Sequence, residues 1–182
     1  MAGNSGPVLV PVGDFPEDLL EKLSRRAKMP VSRPFIDLAP AWNPARRQYD
    51  SSCLLAELKR AHPGEVVGAA AVDLFVPVLT FVFGEAEMPG RAAIFSIHRL
   101  REEFYGLPRN PALLESRAIR ELWHEYGHTQ GLAHCEDWSC VMTSSHSVTQ
   151  VDLKSEHFCA ACAARLRIAG ARKRLERALD VR

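Results

Sequence analysis

The chain has 182 residues, 47% of them hydrophobic and 25% charged, with a formal net charge of +1. Such a balance suits one globular domain with a sizeable core and excludes a bulk electrostatic pull toward nucleic acid or an anionic membrane. The longest apolar stretch, residues 66–82, is interrupted by Asp73 and Pro77 and is too short and mixed to cross a bilayer.

Residues 1–12 lack the basic start and long apolar core of a secretory signal, so a cytoplasmic location is expected. In that compartment the five cysteines should be reduced thiols or metal ligands rather than disulfides.

In chain order, residues 7–13 read as a first strand. Pro16 opens a helix over 17–28, with Leu19, Leu20 and Leu23 on one face and Pro30 past its end. Residues 33–38 read as a short second strand. Pro40 and Pro44 frame a loop leading to Gln48-Tyr49-Asp50-Ser51. Asp50 or Ser51 caps a helix over 52–61 that carries Leu54, Leu55 and Leu58 at helical spacing, and His62-Pro63-Gly64 ends it. Strand patterns follow at 65–73, 79–84 and 91–100, the last after the turn residues Met88-Pro89-Gly90. Strands separated by helices predict a mixed sheet with helices packed on it. There is no internal repeat or low-complexity tract.

From Arg109 the pattern is helical. Asn110-Pro111 is a helix start, because proline at the first helical position gives up no hydrogen bond. Leu113, Leu114, Ile119, Leu122 and Trp123 form an apolar stripe, and the helix should stop at Gly131. It carries His124, Glu125 and His128. Four residues apart, the two imidazoles lie on one helix face and can bind one ion. Glu125 is rotated by about a quarter turn from His124, so its carboxylate reaches a metal-bound water without being a ligand. Gly131 can adopt a positive φ and turn the chain so that His134 returns to the same ion. Three neutral nitrogens leave a fourth position for water, which is the pattern of a catalytic zinc site rather than a closed structural one.

The cysteines follow at once. Cys135 adjoins His134, Cys140 lies five residues on, and Cys159-Ala-Ala-Cys162 is a Cys-x-x-Cys pair. Two thiol pairs separated by a loop can surround a second, structural zinc tetrahedrally. Neighbouring side chains point apart, so His134 and Cys135 can serve different ions. The fifth cysteine, Cys53, sits in a helical apolar pattern and is expected in the core. Met142, eight residues after His134, is placed to underlie the metal site as in a Met-turn.

Together, His124-Glu125-x-x-His128-x-x-Gly131-x-x-His134-Cys135, Cys140-x-Met142 and Cys159-x-x-Cys162 resemble the archaemetzincin signature, from a small family within the metzincin clan of zinc metalloproteases. The resemblance is strong over 123–162 and looser at 48–51 and 79–84. It implies an α/β (α+β) metzincin-like zincin fold: a twisted mixed sheet over an active-site helix, with a C-terminal helical part stapled by a four-cysteine zinc site. It implies one domain over 1–182, with the sheet and active-site helix in 1–131. The Met-turn, cysteine site and C-terminal helix would fill 132–182. It implies two zinc ions per chain, the catalytic one on His124, His128 and His134 and the structural one on Cys135, Cys140, Cys159 and Cys162. Glu125 would be the general base of peptide-bond hydrolysis, of an aminopeptidase type or restricted to short peptides.

The remaining residues carry weaker expectations. His98 falls in a strand pattern and is expected to be a satisfied or solvent-facing side chain. No spacing selects His146 or His157, and the sequence does not rank Tyr49 and Tyr105 as oxyanion helpers. Residues 165–182 hold seven basic and two acidic side chains on an amphipathic pattern, expected to be a solvated helix face. The expected partner is a peptide or protein substrate, with no nucleic acid or membrane, for a monomeric chain. The competing reading is a non-catalytic, zinc-stabilised module that binds peptides or a partner with an idle three-histidine site. The intact Glu125 argues against it, since an idle site has no chemical need for that carboxylate.

Overall fold

Residues 66–70 and 92–96 are buried without a break, the signature of strands covered on both faces. The computed structural model describes residues 6–179, with side chains described as far as residue 170. In order these form β1 (Val8–Val12), α1 (Glu17–Ala27), β2 (Trp42–Asn43), β3 (Gln48–Asp50), α2 (Ser51–Ala61) and β4 (Val66–Ala70). Then come β5 (Leu74–Phe75), β6 (Gly84–Ala86), β7 (Ala92–Ser96), α3 (Pro111–Thr129), α4 (Val148–Leu153) and α5 (Ala160–Leu179).

The main sheet has the order β1-β4-β7-β6, with β1, β4 and β7 parallel and β6 antiparallel at the edge. Alternation along each strand sends its residues to two cores. Val8, Val10, Val66, Ala70 and Ile94 face Leu54, Leu55 and Leu58 of α2. Leu9, Val67, Ala93 and Phe95 face Leu19, Leu20 and Leu23 of α1 and Ala118, Ile119 and Leu122 of α3. The sheet is thus sandwiched between α2 on one side and α1 with α3 on the other. The mixed α/β architecture expected from the sequence is the one observed.

Local chemistry accounts for the helix ends. Asp50 caps α2, accepting from the backbone N–H of Ser52 and Cys53, and Lys28 closes α1 in the left-handed region at φ 54°. Several sequence expectations are corrected. Residues 33–38 join no ladder: Pro34 lacks a donor and Phe35 is exposed, so sheet contact stops at the single bridge from Val31 to Leu9. The strand expected over 79–84 joins the main sheet only from Gly84 onward; before it Val82 makes a single bridge to Leu74, and residues 79–83 line a cleft. The strand expected over 65–73 ends at Ala70, and the one over 91–100 ends at Ser96. Cys53 is exposed rather than in the core, because Leu54, Leu55 and Leu58 point to the sheet and Cys53 is turned away from it. A second small sheet, β2-β3-β5, and the six-residue α4 are too short for the periodicity to reveal. The helix expected over 165–182 is part of α5, whose residues beyond 179, and side chains beyond 170, lie outside the described residues.

Candidate functional site

Helix α3 is anchored before it reaches the site. Asn110 Oδ1 accepts from the Leu113 N–H at 3.1 Å, and Pro111 is the first helical residue. The buried Ala118, Ile119 and Leu122 then fix the helix rotation against the sheet. That rotation turns His124, Glu125 and His128 into a cleft of about 450 Å³, lined also by Phe81, Gly84, Glu121, His134 and His146. The helix ends at Thr129. Gly131 follows at φ 86°, a left-handed conformation that glycine adopts without a Cβ clash, and the chain reverses to bring His134 back.

Hydrogen bonding fixes the ring tautomers. His124 Nδ1 lies 2.8 Å from Val141 O and His128 Nδ1 lies 2.7 Å from Leu132 O. A carbonyl oxygen only accepts, so each Nδ1 carries the proton and each Nε2 presents a lone pair. Those two Nε2 atoms stand 3.1 Å apart, and one nitrogen from each of His124, His128 and His134 lies within 4.8 Å of the others. Two lone pairs facing each other at this distance repel unless a cation sits between them. Nitrogens bound tetrahedrally at about 2.0–2.1 Å from one zinc would be about 3.3 Å apart. The donor set fits zinc. Burial lowers the pKa of all three rings, that of His124 strongly, so they stay neutral and ligand-ready.

Glu125 is 4% exposed, and burial pushes its carboxyl well above the usual range, with the nearby Glu121 adding to the effect. Edge strand β6 comes so close that a Cβ at Gly84 would stand 2.4 Å from Glu125 Oε1. Met142 is fully buried beneath the site, its Sδ in the space that a Cβ at Gly127 would need, 2.3 Å away. Sequence reasoning missed one pair. Lys154 and Glu121, each 2% exposed, meet at 2.8 Å, and Lys154 Nζ also donates to Thr143 O at 3.4 Å. Glu121 was within reach, being one helical turn before Glu125 on the same face. Nothing in the pattern around Lys154 marks it as buried.

The cysteines form a second cluster. The sulfurs of Cys135, Cys140, Cys159 and Cys162 all lie within 4.8 Å of one another, with Cys135 and Cys159 at 3.8 Å. Sulfurs bound tetrahedrally at about 2.3 Å from one zinc would be about 3.8 Å apart, whereas a disulfide would place them at about 2.05 Å. The Cys162 backbone N–H is the main group holding the Cys159 thiol down at about 7, while burial raises Cys140 and Cys162. The geometry and the ready thiolate again fit a metal.

The other singled-out residues are placed as follows. His98 is half-buried and packs edge-on against Phe104 at 5.3 Å, away from the cleft lining. Tyr49 lies on β3 against Trp42. Tyr105 donates to Arg99 O at 2.9 Å and lines a second pocket. His146 lines both pockets, whereas His157 contributes its carbonyl to the Val141 N–H. No described helix is long and apolar enough to cross a membrane.

Known proteins resemble the chain in sequence and in fold. The archaemetzincin of Methanocaldococcus jannaschii is 41% identical over 165 residues, covering 88% of this chain and 92% of its own length. That of Thermococcus kodakarensis is 37% identical over 174 residues, covering 87% and 94%. The crystal structure of archaemetzincin from Methanopyrus kandleri superposes with a TM-score of 0.79 at 33% identity, covering 93% of this chain and 97% of its own. A zinc-dependent peptidase from Methanocorpusculum labreanum superposes with a TM-score of 0.75 at 30% identity, covering 88% and 100%. Residues 42–168 match Peptidase family M54, and the chain belongs to that family of zinc metallopeptidases.

Proposed function

We propose that the chain hydrolyses peptide bonds at the three-histidine site, with Glu125 as general base. One observation carries this reading: Glu125 is buried at the floor of the cleft, beside histidines whose lone pairs converge. His124, His128 and His134 would hold the catalytic zinc, and Cys135, Cys140, Cys159 and Cys162 a structural one, giving two per chain within a single domain. When bound, zinc supplies Lewis-acid polarisation of the scissile carbonyl and lowers the pKa of its water toward about 7. Glu125 takes the proton of the attacking water and delivers it to the leaving amine. Val141 O and Leu132 O keep His124 and His128 in the ligating tautomer throughout. Action on short peptides or in aminopeptidase fashion rests on the family resemblance.

The test is a Glu125→Gln variant assayed on a peptide library, with its zinc content measured. General-base help is worth about 10²–10⁴-fold, so turnover should fall by that factor while zinc stays bound. Equal cleavage by variant and native chain would remove Glu125 from the mechanism.

A further inference from the structure

Two ion pairs join α3 to the end of α4, and their polarities are opposite. Arg117 of α3 holds Asp152 through two hydrogen bonds of 2.8 and 2.7 Å. One turn further along α3, Glu121 meets Lys154 at 2.8 Å. Arg117, Glu121 and Lys154 are all buried. Helix α3 thus presents a cation and then an anion, about 6 Å apart along its axis. Residues 152 and 154 answer with an anion and then a cation.

Val151, buried in the core shared with α1 and α3, supplies the apolar part of this contact. Apolar burial is non-directional and does not choose a register. The charges do. A slide of one turn along α3 would set Lys154 against Arg117 in one direction and Asp152 against Glu121 in the other. Either is like charge on like where water screens little. Buried ion pairs add little net stability over apolar side chains of similar volume, because desolvation offsets their attraction. What the charged pairs add here is a register.

That register bears on the catalytic cleft. Residues 143–147 run from Met142 to α4, and Ser144, Ser145 and His146 line the cleft that His124, Glu125 and His128 enter from α3. At one end of this segment Lys154 Nζ donates to Thr143 O at 3.4 Å. At the other, the His146 N–H donates to Gln150 Oε1 at 2.6 Å, and Ser147 caps α4 by accepting from the Gln150 N–H. Both ends therefore follow α4 and Lys154, which the two ion pairs seat on α3.

We propose that Arg117–Asp152 and Glu121–Lys154 form a clamp of alternating charge that positions residues 143–147 as a wall of the catalytic cleft. The four are positioning residues. Helix α3 carries two of the converging histidines and half of the clamp, so one helix sets the histidines and the wall in the same frame. The kinetic consequence rests on the peptidase reading; the placement of the wall does not.

The experiment uses the zinc-loaded full chain. Glu121→Met with Lys154→Met removes one pair without leaving a buried charge alone, and melting temperature is measured to confirm folding. Amide hydrogen exchange at Thr143 and His146 should quicken by at least about 10-fold over the native chain, while the amides of β4 and β7 keep their rates. A general loss of stability would quicken β4 and β7 as well. Should the double variant fail to fold, Asp152→Ala tests the other pair, since Arg117 keeps Glu102 at 2.6 Å and Leu100 O at 2.8 Å. On the library peptide that the native chain cleaves fastest, a displaced wall should raise KM by about 10-fold, the scale of one hydrogen bond in binding, with zinc content unchanged. A partly unfolded preparation would instead lower kcat at constant KM. Unchanged exchange at Thr143 and His146 in the folded variant would overturn the proposal. So would faster exchange with an unchanged KM. A native chain that cleaves nothing would sink the peptidase reading alone, and the exchange rates would still decide the clamp.

Discussion

At the residue scale, the three histidines are held in the neutral state that metal binding needs. The carbonyls of Val141 and Leu132 fix the tautomers, and burial keeps the rings neutral. Glu125 behaves oppositely to the histidines in the metal-free chain. Its folded pKa is raised, so the folded state keeps a proton that the unfolded chain loses near 4.5. Stability from this group is complete below that value and is lost as pH rises toward the folded pKa. The lowered histidines give the reverse below 6.5, where the unfolded chain takes up protons that the folded one refuses. Metal-free Glu125→Gln should therefore gain stability over the native chain as pH rises above 4.5, by up to about 1.4 kcal/mol per pH unit. Chemical denaturation in chelator across pH measures this, and parallel curves would refute it. Lys154 gives a second prediction. Removing one partner of a buried ion pair costs about 3–5 kcal/mol, so Lys154→Met should destabilise on that scale. Glu121→Met with Lys154→Met should regain most of the loss, and denaturant titration of both variants is the check.

At the scale of elements, two approaches set the geometry. Helix α3 is rotated by its apolar face, and edge strand β6 closes on it at Gly84. Alanine at 84 would drive its Cβ into the Glu125 carboxyl, and the buried side chain can yield only by leaving its position. A misplacement of about 1 Å in catalytic geometry can cost about 10²-fold. Gly84→Ala should thus lower kcat by about that factor while zinc affinity, set by the histidines, stays unchanged. Steady-state kinetics with metal analysis decides it.

Across the whole molecule, the three-histidine and four-cysteine clusters are joined directly through adjacent residues of the chain. Cys135 follows His134 directly, its N–H donates to Met142 O at 3.0 Å, and its sulfur stands beside Cys159 from the start of α5. The third histidine is thereby positioned from Gly131 before it and from the cysteine cluster after it. Outer supports of metal ligands are worth about 10–100-fold in affinity. Cys135→Ser should weaken catalytic zinc by that order as well as releasing the structural ion, as chelator competition would show. Unchanged catalytic affinity would refute the coupling.

The chain's own order determined a good part of this. The ligands of each candidate site crowd into short, fixed spacings, and helical periodicity or a Cys-x-x-Cys step converts such spacing directly into proximity. Helices α1, α2 and α3 were legible for the same reason, through their apolar stripes and the capping residues Asp50 and Asn110. What only the tertiary structure decided lies where partners are distant in sequence. Residues 33–38 and 79–83 have strand composition but join no ladder beyond the single bridge of Val82 to Leu74, because pairing depends on chain elsewhere. Burial of Lys154 depends on Glu121, 33 positions earlier. The second pocket forms where the segment after β7, the segment around α4 and Arg117 of α3 come together, although they are distant in sequence. Local periodicity is written in neighbouring residues. Long-range pairing and cavity shape are products of packing, and they fix what surrounds Glu125 and which side chains a substrate meets.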